Sequence, residues 1–419
     1  MKAQNVSDTD FGTKFNNFMK KTSRAEEIKK RESLSYDNAQ ALDEHDQFYR
    51  DHKLLLLLFQ VLGVMPIERG RLGEITFSWT SIPSIYAYCF YAVTTVLVVF
   101  VGRERLDILT NQSRKFDEYI YAILFVVFLI PHFWIPYVGW GVATEVCDYK
   151  NSWTRFQLDY FKITGRNLQF PHLNTLIVAI SSGCLVLAVV FLLSLSMLLE
   201  GFTLYHTSAY LHIITMINMN GALLYINCRA IGNASKAVAD SFDQDMEGDV
   251  TTTLVALYKK LWMSLSELLQ KLGSAYSRTY STLSLFLLTN VTIAAYGFTS
   301  EVIDHGFTFT FKEMGLLVDF AYSMGLLFTI CDCSHKASEY IAKRVQTTLL
   351  NIRLSKVDVT TSEEIQIFLM AIQMNPPKVS LKGYTVLNRE LLTTFLATIA
   401  IYLIILLQFK VSLLSQRGG

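Results

Sequence analysis

The sequence predicts an all-α polytopic membrane protein with seven transmembrane helices, its N-terminus inside, its C-terminus outside, and cytoplasmic helical extensions. Three observations carry that reading. Hydrophobic residues make up 51% of the 419 and charged residues only 17%, against roughly 25% charged in a typical soluble chain. Seven stretches, 84–102, 118–141, 174–199, 203–228, 279–298, 314–333 and 391–414, are apolar, and of the 37 Lys and Arg only Lys410 falls within one. Each matches the roughly 20 residues that cross a hydrocarbon core of about 30 Å. Threading the chain through these spans puts 30 Lys and Arg on the side of the N-terminus and 7 on the other. Cytoplasmic flanks collect such cations, which sets the orientation.

Residues 1–53 are polar, with runs such as Lys29-Lys30-Arg31 and Asp43-Glu44-His45-Asp46. They read as a cytosolic tail, not a signal peptide. The apolar run 54–64 is only eleven residues, too short to span, and reads as an interfacial or packed segment. Spans one to four complete the region 54–228, with Pro131 and Pro136 expected to bend the second. The connection 229–278 is a cytoplasmic helical extension, because Leu254, Leu257, Tyr258, Leu261, Leu265, Leu268, Leu269 and Leu272 recur at helical spacing. Spans five and six fill 279–333. The segment 334–390 repeats the pattern more weakly through Ile341, Val345, Leu349 and Ile352. These extensions are expected to pack below the membrane, as a scaffold or as an oligomerisation module. Residues 391–419 form the last helix and the outer C-terminus.

Asn111-Gln112-Ser113 is a glycosylation sequon on the outer side, whereas those at Asn5, Asn233 and Asn290 fall inside or within the membrane and should stay unmodified. The six cysteines suit small apolar packing residues, not an extracellular disulfide framework. A net charge of +1 and no basic tract interleaved with aromatics point away from nucleic acid. Cys331, Asp332, Cys333 and His335 lack the paired spacing of a structural zinc site. No phosphate-cradling glycine loop or nucleophile elbow is present, so no enzyme, metal or cofactor is expected.

Some polar residues within the spans call for partners. Gln408 sits in a segment otherwise apolar but for Lys410. It should face a polar lumen or hydrogen-bond a neighbouring helix. Helical spacing puts Ile401, Ile404 or Ile405, Gln408 and Ser412 on one stripe. A ring of Gln408 amides would replace part of an ion's hydration, and Phe409 beside it could close the path by dewetting. Asp319, in the outer half of the sixth span, lines a ligand cavity or makes a structural hydrogen bond. Tyr205, His206, Tyr210 and His212, with Thr94, Thr95, Tyr119, Tyr121, Phe125, Tyr296 and Tyr322, lie in outer halves of several spans. They would suit a small-ligand cavity, or else ordinary packing and the interfacial belt.

The segment Ile401-Tyr402-Leu403-Ile404-Ile405-Leu406-Leu407-Gln408-Phe409 resembles the C-terminal signature of insect gustatory receptors. Tyr402, Leu406, Gln408 and Phe409 match it, while Ile401 stands where that signature has Thr. Asn375-Pro376-Pro377, Gly383-Tyr384, Asn388-Arg389-Glu390-Leu391, Glu301 to Gly306 and Leu350-Asn351-Ile352 are similar to the carbon-dioxide branch of that family. The resemblance implies a ligand-gated cation channel in the plasma membrane of sensory neurons. It implies four related subunits, homomeric or mixed, around a pore lined by the last helix. Ligand pockets would lie on the outer side, with the main subunit contact inside. A carbon-dioxide cavity should be small and apolar, since so small a neutral ligand offers little binding energy. A bicarbonate site would need a buried Arg or Lys, which no outer half of a span is expected to supply. A G-protein-coupled receptor is the rival by helix count, and a secondary transporter the other; the inside N-terminus argues against the first and the absence of a repeat against the second.

Overall fold

The computed structural model describes residues 45–70, 74–110, 116–198, 204–246, 251–306, 310–352 and 357–417. The helices, in chain order, are α1 (Gln47–Val61), α2 (Ile82–Thr110), α3 (Phe116–Gly141), α4 (Ala143–Thr164), α5 (Leu173–Leu198), α6 (Leu204–Met246), α7 (Thr252–Ala275), α8 (Ser277–His305), α9 (Phe311–Asn351), α10 (Val359–Met374) and α11 (Arg389–Arg417). A short antiparallel hairpin, β1 (Ile67–Arg69) with β2 (Ile75–Phe77), separates α1 from α2. Among the described residues seven helices are long and apolar enough to cross a membrane, namely α2, α3, α5, α6, α8, α9 and α11.

These correspond to the seven expected spans, with several corrections. The tail boundary at residue 53 cuts through α1, which begins at Gln47 and is N-capped by Asp46 accepting from the Tyr49 amide. The short apolar run is the C-terminal part of this helix. Its inner face, Phe48, His52, Leu55, Leu56 and Phe59, is buried. The connection between the second and third spans is the helix α4, ended by Gly165 in the left-handed conformation. Its spacing of Val146, Tyr149, Trp153, Phe156 and Tyr160 is an amphipathic signal hidden among charges. The helix α3 continues through both Pro131 and Pro136.

Two helices run far beyond the hydrocarbon. The 43 residues of α6 and the 41 of α9 make rods of about 60 Å each at 1.5 Å per residue. Their inner ends join α1, α4, α7 and α10 in a cytoplasmic layer. The face predicted for α7 is largely buried there, although Leu257 is exposed and Val255 and Trp262 take part instead. Trp262 Nε1 donates to the Ile341 carbonyl at 3.0 Å, and Phe242 packs on Tyr258 at 4.8 Å and on Phe368 at 6.3 Å. The chain after α10 closes on α7 so tightly that a Cβ at Gly273 would stand 2.6 Å from the Ser380 carbonyl oxygen.

Lys150 lies within this layer, only 2% exposed. Its ammonium sits 4.6 Å from the Phe48 ring centroid and 3.4 Å from Asn227 Oδ1, which also accepts from Tyr149 at 3.0 Å. Burial pushes Lys150 down to about 7, with Asp46 offsetting part of the shift. The same burial, together with the Lys150 charge, holds His52 well below the usual imidazole range.

Gly273→Ala should cost about 1–3 kcal/mol, the usual penalty of overpacking against backbone, read as a lower melting temperature of the purified protein. A second outcome concerns Lys150. Unfolded lysine stays charged to about pH 10.4, so between about 7 and that value the unfolded chain binds the extra proton. Stability therefore rises with pH across this window, and the penalty is fully present below it. The protein should melt at a higher temperature at pH 9 than at pH 7, and Lys150→Met should remove that increment; an increment that persists in the variant would refute the assignment.

Candidate functional site

The last helix is the least integrated part of the bundle. Only 6% of the apolar window of α11 is buried, against 78% for α6. Ile401, Tyr402, Ile404, Ile405, Leu406, Gln408, Phe409 and Ser412 are all exposed, Phe409 by 65%. The stripe of Ile401, Ile405, Gln408 and Ser412, and the signature positions Tyr402 and Leu406, therefore face away from the rest of the chain. So large an exposed apolar surface requires lipid or other subunits.

Charged groups fix this helix at both ends. At the inner end Arg389 Nε and Nη2 donate to Asp332 Oδ1 on α9 at 2.9 and 2.6 Å, and Lys336 donates to the other Asp332 oxygen at 2.7 Å. Asn388 Oδ1 accepts from the Leu391 amide at 2.9 Å. At the outer end Lys410, 8% exposed, donates to the Ser300 carbonyl at 2.8 Å, to Ser300 Oγ at 2.5 Å and to Asp304 Oδ2 at 2.5 Å, all on α8. About 30 Å of helix separates the two attachments.

The outer-half candidates fall into several small networks. Thr95 Oγ1 and His132 Nε2 share a hydrogen bond of 2.9 Å, the His132 ring stacks on Tyr91 at 5.0 Å, and His212 meets His132 at 6.2 Å and Phe90 at 5.1 Å. Closer to the outer surface Tyr210 donates to the Phe125 carbonyl at 3.1 Å, and His206 Nε2 is 3.2 Å from Glu104 Oε2. Asp319 accepts from Asn290 on α8 at 2.9 Å, and Asn290 also donates to Ser323 at 2.6 Å. Tyr322 donates to Asn218 Oδ1 at 2.7 Å and stacks on Phe191 at 4.4 Å. Tyr296 is half-buried on α8. The side chains of Tyr121 and Tyr205, and the whole of Asn111, lie outside the described residues.

One expectation is overturned. The outer part of the bundle does hold buried cations, Lys410 and also Arg105, which is 7% exposed with its guanidinium 5.3 Å from the Phe125 ring centroid. The span boundary drawn at residue 102 hid Arg105, because α2 continues to Thr110. The absence of a buried cation therefore no longer separates carbon dioxide from bicarbonate.

His132, Asn218 and Asn290 are central to these networks, yet His132 and Asn218 were not singled out in the sequence and Asn290 was noted only as a sequon expected to stay unmodified. Their signal was available: a polar side chain inside an apolar span must find a partner. Among the described residues no group of three or more His, Cys, Asp and Glu could hold a metal ion.

Seven apolar helices over a cytoplasmic helical layer, with an outlying charge-clasped last helix, define a multi-pass membrane protein of receptor architecture. Residues 52–413 match the 7tm chemosensory receptor family, and the chain belongs to it. It is 41% identical over 382 residues to Gustatory and odorant receptor 22 of Anopheles gambiae, covering 90% of this chain and 81% of that one. It is 40% identical over 392 residues to Gustatory and odorant receptor 21a of Drosophila melanogaster, covering 92% and 86%. These relatives are receptors, not enzymes. The fold matches the olfactory receptor OR5 of Machilis hrabei in complex with eugenol with a TM-score of 0.55, at 14% identity over 88% of this chain and 100% of that one.

The Lys410–Asp304 pair is buried on the lysine side only, and Asp304 keeps some access to solvent, so removing Lys410 should cost less than the loss of one partner of a fully buried pair. Lys410→Met should therefore lower the melting temperature and speed amide exchange near the outer end of α11. Adding Asp304→Leu should recover much of the loss. Unchanged exchange in Lys410→Met would show that the clasp does not hold the helix.

Proposed function

We propose that this receptor is a subunit of a ligand-gated, non-selective cation channel in the plasma membrane of sensory neurons, with carbon dioxide as its ligand. Four related subunits, identical or mixed, surround a pore lined by α11. The carrying observation is the exposure of Gln408 and Phe409 on a helix tied down chiefly at its ends. Four Gln408 amides would offer a neutral ring to a partly hydrated cation, and Phe409 would supply the closing constriction. The cytoplasmic layer supplies the main contact between subunits. Val359, Ile367, Met370, Met374 and Tyr384 leave apolar surface exposed there, Tyr384 by 91%.

The outer networks around Thr95, His132 and His212, and around Asp319 and Tyr322, are the candidate walls of the ligand site. The motifs at Asn375-Pro376-Pro377 and Asn388-Arg389-Glu390-Leu391 support carbon dioxide by resemblance.

Whole-cell recording of the expressed receptor tests the reading. Current should follow dissolved gas both when bicarbonate rises with it at fixed pH and when pH falls with it at fixed bicarbonate, and should not follow bicarbonate and pH varied together at constant gas, without added nucleotide or co-transported substrate. A response that requires a G protein or a substrate gradient would favour the receptor or transporter alternatives. Phe409→Ala should raise basal current several-fold, and Gln408→Ala should alter unitary conductance, with surface expression retained. Unchanged currents in a confirmed homomer would remove the pore assignment.

A further inference from the structure

A crevice runs along the contact of α5, α6 and α9, on the inner side of the outer networks and reaching them only at Asn218. Its lower chamber, of about 440 Å³, is lined by Arg229, Lys236 and Arg344 together with His172. It sits where α5 enters the membrane and α6 leaves it, at the depth of the inner-leaflet headgroups. No acidic side chain lines it. Among the described residues none of the three cations makes an ion pair. On α6, Tyr225, Arg229, Gly232 and Lys236 follow helical spacing and share one face. Gly232 keeps that face low enough for the Tyr340 ring, whose edge would lie 3.2 Å from an added Cβ.

A second chamber, of about 250 Å³, continues toward the membrane centre and shares Tyr225 with the first. Its walls include Ile180, Cys184 and Leu187 of α5 and Leu326 of α9. Leu187 is 43% exposed, so this chamber opens sideways where acyl chains would be. A cationic chamber at headgroup depth, joined to an apolar groove beside the lipid tails, has the polarity of a phospholipid.

We propose that this crevice binds an anionic phospholipid of the inner leaflet, of the polyphosphorylated inositol class. Its phosphates bind Arg229, Lys236 and Arg344, and an acyl chain lies along Ile180, Cys184 and Leu187. Three cations in a chamber that no acidic side chain lines call for more charge than one phosphodiester supplies. A soluble anion would fill only the lower chamber and leave the groove unused. The lipid would wedge α5 against the two long rods and so bias their packing. The inference is independent of what the receptor detects.

The test uses the purified full-length receptor in detergent. The probe is fluorescent dioctanoyl phosphatidylinositol 4,5-bisphosphate, competed by soluble inositol trisphosphate or by dioctanoyl phosphatidylcholine. The lipid should bind at least tenfold more tightly than either competitor, and less tightly as salt rises. The combined Arg229→Gln, Lys236→Gln and Arg344→Gln variant should lose at least tenfold. Leu187→Trp, at the exposed mouth of the groove, should weaken the lipid while sparing the trisphosphate. The exposed single variants Arg229→Gln and Lys236→Gln, with melting temperatures held at the wild-type value, guard against simple misfolding and should each weaken binding. Equal binding by the neutralised protein, or equal competition by phosphatidylcholine, would overturn the proposal. Equal affinity for the free trisphosphate would overturn its lipid component and leave a soluble-anion site.

Discussion

The last helix is held by a charged contact at each end and only light packing between, through Leu391, Leu392, Phe395 and Ile399, and this governs how the rest of the molecule can act. Most of α11 is exposed and packs only along one side on α8 and α9, so the Arg389–Asp332 and Lys410–Asp304 contacts help to fix where its middle stands. Both partners belong to spans that also carry the outer networks, since Asp304 and Asn290 share α8 while Asp332 and Asp319 share α9. Any change in the relative position of α8 and α9 must therefore reach α11 through two charged contacts. Ion pairs of this kind resist small displacements but can be re-formed with new partners, which suits a helix that occupies more than one position.

The cytoplasmic layer plays the opposite part. Trp153, Trp262, Tyr258 and Tyr276 are fully buried there, and side-chain hydrogen bonds to backbone carbonyls, such as Trp262 to Ile341, fix the register of α7 against α9. Aromatic packing of this density tolerates little rearrangement. The layer is thus a fixed base from which the spans rise, and its exposed apolar rim on α10 is available to further subunits.

The seven spans and the stripe on α7 were legible because hydropathy and period are local properties of the chain. The helix α4 was not, since its charged face lowers hydropathy below the span threshold and only the spacing of Tyr149, Trp153 and Phe156 betrays it. The start of α1 was concealed by the polar residues around Asp46, whose capping role depends on Gln157 and Thr154 from distant α4. Around the candidate ligand site the sequence supplied Thr95 and His212 but not His132, which joins them. Arg105 escaped because α2 runs past the boundary drawn at residue 102, which brings its guanidinium over Phe125 of another helix. Membership of a helix is written locally, whereas the partners of a polar side chain are a property of the assembled bundle.

The unbroken length of α6 carries a further implication. It reaches from the outer networks at His206 and His212, past Asn218 and Asn227, to Phe242 within the cytoplasmic layer. A rod about 64 Å long that rocks by about three degrees around its midpoint swings each tip by nearly 2 Å, in opposing senses. Events at the outer face need no relay of separate parts to be felt inside the cell: one stiff beam makes the two faces of the membrane mechanically continuous.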